Sequence, residues 1–391
     1  MDREKLAIYY VRLRDKTLSL SLMPVVTAVM SKGVIVNKII YGEPKSKLNG
    51  SELYIDKAAK KPVFIYVHGG GWVQGTHIIR NPYCSRIADL GFYVLNINYE
   101  LAPDAKHPVQ VRNIFSAISY VFERKDEYNL DTDNIFLGGD SAGGHLAALA
   151  VSVTVNKRLY DEFCIKFDHK DDFKVKGFVS VCGIFDFLSC RYADFHNLEL
   201  YARSYSGYDV REIDDVETLF ERQDIKDMCP ASLVNPDFPP CVLLTGEKDP
   251  LKPATDLFYE VLKKNNVKTR LYVGKGKYSV HAYPLFDGNT NGKRAMREVY
   301  AFFHEVLGDG YGLLNPKAAP VDSDLIQRGV TSDIESDIVY DMGGDAENGE
   351  TDENSEDKKE KRGFEIIVGG RTYIVAEETK LLVEDLINSR S

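Results

Sequence analysis

Short apolar runs alternate with helix-like stretches along most of the chain from about residue 51 onward. Apolar runs that are bounded by turn residues and followed by helical periodicity are typical of parallel strands covered on both faces. The predicted strands are Val63–Val67, Tyr93–Asn98, Ile135–Leu137, Gly177–Val181, Cys241–Thr245 and Thr269–Val273. The predicted helices are Ser85–Leu90, Val109–Glu123, Gly143–Val155, Thr255–Lys264 and Lys293–Leu307. Strands that alternate with helices in this way predict a doubly wound, mostly parallel sheet of the α/β class.

The limits of this alternation predict four regions. Residues 1–50 have helical periodicity, which predicts N-terminal helices. The α/β body spans 51–310, and an aromatic, charged stretch at about 186–234 interrupts it, which predicts an insertion above the sheet. Residues 311–362 predict an acidic, disordered linker, because their composition cannot bury enough apolar surface to order the chain.

The last 29 residues, 363–391, regain structural signals. Two β-prone runs flank Gly369-Gly370 and predict a hairpin, and the apolar residues within 381–387 predict a short helix. Because an isolated hairpin is marginally stable in water, we expect this module to dock on the body, on a protein partner or on a second copy.

Composition narrows the function classes. Of the 391 residues, 44% are hydrophobic, so a sizeable core can form. The net charge of −10 resides in residues 331–360, and the rest of the chain has 47 basic and 47 acidic side chains. No basic patch therefore indicates nucleic-acid binding. The six cysteines have no CxxC or zinc-type spacing, which favours free thiols in a reducing compartment and no metal site.

The N-terminal region has no clear targeting signal. Its uncharged stretch, residues 17–31, is 15 residues long, whereas a spanning helix needs about 20 apolar residues. We therefore predict a cytoplasmic protein whose N-terminal segment packs on the body, with membrane contact through that segment as the alternative.

The strongest chemical signal is Gly139-Asp140-Ser141-Ala142-Gly143, placed between an apolar strand and a helix-prone run. In a GxSxG elbow the glycines allow a tight strand-to-helix turn that exposes the serine hydroxyl to a base. The pattern indicates Ser141 as a nucleophile. The alternative is a glycine-rich helix start with a capping serine.

A second glycine motif follows the first predicted strand. His68 precedes Gly69, Gly70 and Gly71, whose backbone N–H groups no side chain shields. With the N–H of Ala142, these groups are predicted to form an oxyanion hole. A phosphate loop is the alternative, but neither a P-loop Lys-Ser/Thr nor GxGxxG is present.

A serine nucleophile needs a base and a carboxylate, which follow it in the order acid and then histidine in this type of fold. Past the elbow, the candidate bases are His169, His196, His281 and His304. Only His281 follows a strand in a short loop, which favours it. Asp249 follows the strand Cys241–Thr245 and is the predicted acid, with Glu247 and Asp186 as competitors.

Together these residues resemble the hormone-sensitive-lipase-like and arylacetamide-deacetylase-like group of α/β-hydrolases. The resemblance rests on HGGGW, NYELAP, GDSAGG, PPCVLLTGEKDPL and His281, in the family's order from about residue 62 to 307. It implies Ser141 as nucleophile, His281 as base, Asp249 as the residue that orients it, and an oxyanion hole from the His68–Gly71 loop with Ala142. It also implies a cap built from the N-terminal helices and the 186–234 insertion.

The predicted function is hydrolysis of short-to-medium acyl or aryl carboxylic esters without a cofactor or metal. Two alternatives remain open. One is an amidase or N-deacetylase resembling kynurenine formamidase, since the same triad cleaves activated amides. The other is a non-catalytic receptor for a small ligand, a reading that the presence of His281 disfavours.

Overall fold

A computed structural model describes residues 3–42, 48–56, 59–195, 197–207, 223–286, 290–308, 311, 363–368 and 371–376. Its main feature is an eight-stranded sheet with the order β1-β2-β4-β3-β5-β6-β7-β8. The strands are Ile35–Ile40 (β1), Asn49–Tyr54 (β2), Lys61–Val67 (β3), Tyr93–Ile97 (β4), Leu130–Asp140 (β5), Gly177–Val181 (β6), Cys241–Gly246 (β7) and Thr269–Gly274 (β8). From β4 to β8 all neighbours are parallel, and β2 pairs antiparallel with both β1 and β4. The predicted α/β class with a mostly parallel sheet is confirmed.

Helices cover both faces of this sheet. In the body they are Asn81–Asp89 (α2), Val109–Arg124 (α3), Ala142–Val155 (α4), Arg158–Glu162 (α5), Lys252–Lys264 (α9) and Thr290–Leu307 (α10). The insertion contributes Phe187–Tyr192 (α6), Leu198–Ser206 (α7) and Gln223–Lys226 (α8), and Arg3–Ala28 (α1) precedes the sheet. Short 3₁₀ turns lie at His77–Arg80, Pro230–Ser232 and Tyr283–Leu285.

Alternation along the strands divides the core into two layers. In β3, Val63, Ile65 and Val67 join a cluster with residues of α3, α4 and α9. Phe64 and Tyr66 point to the opposite cluster, which includes residues of α2 and α10. Both sets are completely buried, as the period of two in a strand requires when helices cover both faces.

The structure differs from the prediction of cap helices over residues 1–50. One helix, α1, ends at Ala28, and the chain then forms the strand β1 and the first residues of β2. These strands carry weak local signals: β1 is an edge strand exposed at five of its six positions, and β2 begins with Asn49-Gly50, a turn-type pair. Pairing of β2 with β4 supplies the order that the local sequence does not.

The helix α1 packs one face on the body and leaves another exposed. Its buried residues include Ile8, Ser19, Leu22 and Val26. Its exposed apolar side chains are Leu6, Tyr9, Tyr10, Leu13 and Leu20. In the described part of the chain, no helix has both the length and the apolar character that a membrane crossing requires. Membrane contact through this helix stays a prediction.

The C-terminal module is described only at two strands, Gly363–Val368 (β9) and Arg371–Ala376 (β10). They pair antiparallel in a separate two-stranded sheet, with Ile366 opposite Tyr373. The acidic linker beyond Tyr311 and the helix predicted over 381–387 lie outside the described residues.

Candidate active site

Ser141 lies at the carboxyl end of β5 and at the head of α4. Its backbone angles are φ 52° and ψ −122°, a conformation that L-residues adopt only where the surroundings impose it. The turn requires glycine on both sides of the serine. A Cβ atom at Gly139 would lie 2.5 Å from a backbone atom, and one at Gly143 would lie 2.1 Å from another, which is too close for any side chain. The N–H of Ser141 donates to Val181 O at 2.9 Å, which places the serine beside the end of β6. This is the geometry of the predicted elbow.

Asp249 and His281 meet at the same edge of the sheet. His281 Nδ1 lies 2.9 Å from Asp249 Oδ1, which also accepts the N–H of Leu251 at 2.9 Å. Asp249 Oδ2 accepts the hydroxyl of Thr245 at 3.2 Å. Burial raises the pKa of Asp249, but His281 and the other donors outweigh burial and hold that pKa below its usual value. An ionised Asp249 holds the proton of His281 on Nδ1 and leaves Nε2 as the basic nitrogen.

The competing residues have other contacts. Glu247 accepts the N–H of Gly276 at 2.7 Å in an exposed loop, and Asp186 caps α6 by accepting the N–H of Ser189 at 2.6 Å. His169 stacks on Phe122, with ring centroids 4.0 Å apart. His304 lies on α10, and His196 lies outside the described residues.

The glycine loop follows β3 and bends back on itself. Gly70 has φ 122° and Gly71 has φ 57°, and Gly70 O accepts the N–H groups of Val73 and Gln74 at 3.2 and 3.1 Å. Ala142 is the first residue of α4, so its N–H has no acceptor within the helix. Gly69 differs from its neighbours because its N–H donates to the Asp140 carboxylate. Of the four predicted donors, Gly69 therefore has an acceptor within the protein, and Gly70, Gly71 and Ala142 stay predicted oxyanion donors.

We expect Gly70→Ala to lower kcat/KM on esters about 100- to 1000-fold, the usual cost of one lost oxyanion donor. A Cβ there would lie 2.2 Å from Gln74 O, and the φ of 122° strains any L-residue, so the loop must move. Gly91→Ala is the matched control, because Gly91 has φ 107° and open space around it. Steady-state kinetics of both variants test this expectation, which an equal loss in the two would contradict.

A buried ion pair lies beneath the elbow. Arg80 donates to Asp140 from Nε at 3.2 Å and from its terminal nitrogen at 2.8 Å, and Tyr66 OH donates to Asp140 at 3.0 Å. Burial raises the pKa of Asp140, but Arg80 outweighs it and holds that pKa below its usual value. Because the same carboxylate binds the N–H of Gly69, it ties the glycine loop to the residue before Ser141. Sequence analysis missed Arg80, since no motif points to an arginine in this position.

A buried histidine joins the loop to the insertion. His145, on α4, accepts the indole N–H of Trp72 at 3.2 Å and lies 2.8 Å from Met228 O. These contacts place its proton on Nε2, and burial lowers the pKa of His145 to about 4, so the ring is neutral. His145 thereby links the glycine loop, the helix α4 and the insertion.

The insertion and α1 close over the loop from two sides. The Tyr201 ring would lie 2.5 Å from a Cβ at Gly71, and Tyr205 stacks on Trp72 at 5.0 Å. Phe195 packs edge-on against His281, with centroids 5.0 Å apart. From α1, Arg12 Nε donates to Val73 O at 2.7 Å, and Asp15 accepts the N–H of Gly75 at 3.0 Å.

One group of side chains in the described part of the chain has the atom types of a metal site. Cys182, Asp249 and His281 offer ligand atoms within 4.8 Å of one another. These groups already satisfy one another by hydrogen bonds, and the chemistry of a serine nucleophile needs no ion at this place. The prediction of a site without metal or cofactor stays a prediction.

Comparison with known proteins supports the fold and the resemblance. The esterase LipQ of Mycobacterium tuberculosis is 31% identical over 196 residues, which are 50% of this chain and 44% of that protein. The acetyl esterase of Salmonella schwarzengrund is 24% identical over 241 residues, 60% of this chain and 68% of that protein. The chain spans less than two thirds of the first curated relatives it matches, for example 62% of the esterase LipC of M. tuberculosis.

Solved structures share the architecture. Esterase B from Lactobacillus rhamnosis superposes with a TM-score of 0.64 at 21% identity, over 78% of this chain and 96% of that one. A bacterial heroin esterase gives 0.61 at 23% identity, over 76% and 92%. These likenesses show the fold. The resemblance to hormone-sensitive-lipase-like hydrolases, stated above from motifs, is confirmed.

The family match covers the elements that carry the predicted nucleophile and acid, and it ends before β8 and His281. The model of the BD-FAE family matches residues 52–258, just over half of the chain, and includes the glycine loop, the elbow and Asp249. The chain belongs to the BD-FAE family of α/β-hydrolases.

Proposed function

We propose that this protein is a serine hydrolase of carboxylic esters. The observation that carries the proposal is the 2.9 Å contact of His281 Nδ1 with a buried Asp249 at the sheet edge where the strained elbow presents Ser141. Along the chain the nucleophile Ser141 comes first, then the acid Asp249 and then the base His281, which is the order that this type of fold uses. The named esterases among the relatives support the same reaction class.

In the proposed mechanism, Ser141 Oγ attacks the ester carbonyl while His281 Nε2 takes its proton. The negative charge that develops on the carbonyl oxygen is stabilised by the N–H groups of Gly70, Gly71 and Ala142. His281 then protonates the leaving alkoxide, and the acyl group stays on Ser141. Water, deprotonated by His281, hydrolyses this acyl-enzyme and releases the acid.

The cap supports a preference for short-to-medium acyl or aryl groups. Tyr201 lies against the glycine loop, and Phe195 lies against His281. Aromatic rings of the insertion therefore lie next to the groups that we propose to act on the acyl group. Large rings so near the reacting atoms leave room for small or flat groups and favour apolar ones. We propose such esters as the substrate class.

A fluorophosphonate probe tests the proposal, because it phosphonylates only activated serines. The full chain should give one stoichiometric adduct, which peptide mass spectrometry should locate on Ser141. The His281→Ala variant should label far more slowly, since the serine then has no base. A folded protein without an adduct would favour the alternative of a small-ligand receptor.

Paired substrates separate esterase from amidase action. A nitrophenyl ester and the anilide of the same acid offer one acyl group with two leaving groups. We expect much faster turnover of the ester, and faster turnover of the anilide would favour the amidase or N-deacetylase alternative. The chain's near-neutral body gives no reason to expect a charged substrate.

We propose that the C-terminal module acts apart from turnover, as a docking site for a protein partner or a second copy. Tyr311 belongs to the body, because its hydroxyl donates to Asp131 and accepts from Asn134 at 2.7 Å. A chain that ends after Tyr311 should therefore keep its kcat/KM and its melting temperature. A chain that ends before Tyr311 is the matched control and should melt lower. Loss of turnover in the chain that ends after Tyr311 would show that the C-terminal module supports the site.

A further inference from the structure

Cys182 lies next to the candidate triad, although no cysteine had a predicted role. It directly follows β6 and is completely buried, with a positive φ of 51°. The adjacent residue, Val181, accepts the N–H of Ser141 at 2.9 Å. Cys182 therefore stands between the elbow and the loops that carry the acid and the base.

The thiol of Cys182 has two hydrogen-bond partners. Its Sγ accepts the N–H of Ala282 at 3.3 Å, and it lies within 4.8 Å of a carboxylate oxygen of Asp249, to which its S–H can donate. Burial and the nearby Asp249 raise the pKa of this thiol well above its ordinary value, so it remains protonated and able to donate. One small side chain thus bridges the acid and the segment that holds the base.

The contact of Cys182 with Asp249 matters because it adds a donor to this carboxylate. The carboxylate also accepts from His281 Nδ1, Leu251 N and Thr245 Oγ1. An ionised carboxylate offers about four lone-pair sites in total. Cys182 is placed to fill the site that these three donors leave, and a fourth donor there would fix the orientation of Asp249 toward His281.

The bond from Ala282 to Cys182 matters because Ala282, the residue after His281, has a strained backbone conformation. Ala282 has φ 62°, a left-handed conformation in which an alanine is strained, so its surroundings must hold it there. The bond from Ala282 N–H to Cys182 Sγ holds this peptide. The position of the imidazole next to it depends on the same bond.

We propose that Cys182 is a positioning residue, which fixes Asp249 and the His281 loop relative to each other through these two bonds. The proposal rests on the function proposed above. Cys182 does not touch the substrate and exchanges no atom with it, so its effect on turnover acts through the acid and the base.

The test compares Cys182→Ala with Cys182→Ser in the full chain. Alanine removes donor and acceptor, and we expect kcat to fall about 10- to 100-fold with KM little changed, the usual cost of a lost bond to a charged group. Serine keeps both functions and should restore most of the rate. Cys84→Ala is the matched control, because Cys84 is another fully buried thiol in the same core layer.

The pH profile separates positioning from packing. The titratable groups that face Asp249 are His281, Cys182 and Tyr283, with Asp140 farther away. Cys182 lowers the pKa of Asp249 by donating to it, so its removal raises that pKa and the carboxylate protonates at a higher pH. The acid limb of kcat/KM reports every group that must be deprotonated for turnover, and its lower end, where Asp249 takes up its proton, should move to higher pH in Cys182→Ala and stay in place in the control variant Cys84→Ala.

The outcomes distinguish this inference from the proposed function. A wild-type chain without ester turnover contradicts the function itself. An active wild type with an unchanged rate and pH profile in Cys182→Ala overturns the role of Cys182, as does a serine variant no faster than the alanine variant. If the alanine variant does not fold, Cys182→Val takes its place, because valine fills the space but neither donates nor accepts a hydrogen bond, and a valine variant as fast as the serine variant would overturn the positioning role.

Discussion

Replacing Ser141 with alanine is expected to lower kcat on a nitrophenyl ester by about ten thousand- to a million-fold. Removing the nucleophile abolishes the acyl-enzyme route, and only binding and the oxyanion donors continue to assist direct attack by water. Because the residues of a triad act as a unit, adding His281→Ala to Ser141→Ala should cause little further loss. Steady-state kinetics on the wild type and these two variants, with circular dichroism to verify folding, tests both statements.

A Ser141→Gly variant is the matched control for this loss. It removes the same hydroxyl and also relieves the backbone conformation of φ 52° and ψ −122°. It should be as inactive as the alanine variant and more resistant to urea. Ester turnover that persists in both variants at a tenth of the wild-type rate or more would refute Ser141 as the nucleophile.

The stability of the fold should decrease steeply as the pH falls below about 6.5. Burial lowers the pKa of both His68 and His107 to about 3 and that of His145 to about 4, and it also lowers the pKa of the buried His77. In the unfolded chain all four side chains titrate near 6.5, so below that pH the unfolded state holds up to four more protons than the folded state. The free energy of unfolding should therefore fall by up to about 5.4 kcal/mol per pH unit in this window.

Urea unfolding at pH 8, 7, 6 and 5 measures this slope. His145→Gln should reduce it by about a quarter, because one of the four protons is then lost from the balance. His169→Gln is the matched control for the removal of an exposed imidazole. The lowered pKa values of Asp140 and Asp249 act in a separate window, because stability from carboxylates is lost only as the pH falls below about 4. A free energy of unfolding that is constant from pH 8 to 5 would contradict the role of the four histidines.

Burial explains which parts of the fold the sequence predicts. The strands β3 and β6 are buried on both faces, so their apolar runs stand out, and the predicted β6 matches the observed Gly177–Val181. β5 is longer than predicted because it extends back to Leu130 through polar residues that only its pairing with β3 orders. β2 gains its order from β4, a neighbour distant in the chain, and β1 gains its order from β2, so local periodicity reports neither strand.

The candidate site divides in the same way. Ser141, Asp249 and His281 were predicted because motifs and strand ends mark them, and the structure places them at one sheet edge. Arg80 and Cys182 were missed because their roles arise from contacts across the fold with Asp140 and Asp249. Gly69 was predicted as an oxyanion donor like its neighbours, and only the three-dimensional contact with Asp140 separates it from them.

The strained elbow has a consequence for how such a chain evolves. At Ser141 the fold favours glycine, so the serine persists only as long as selection maintains its reactivity. In a descendant that had lost its substrate, selection would not act against replacement by glycine, and the replacement would increase stability. A serine at this position in divergent descendants would therefore record continuous use of the hydroxyl, and a glycine there would record its abandonment.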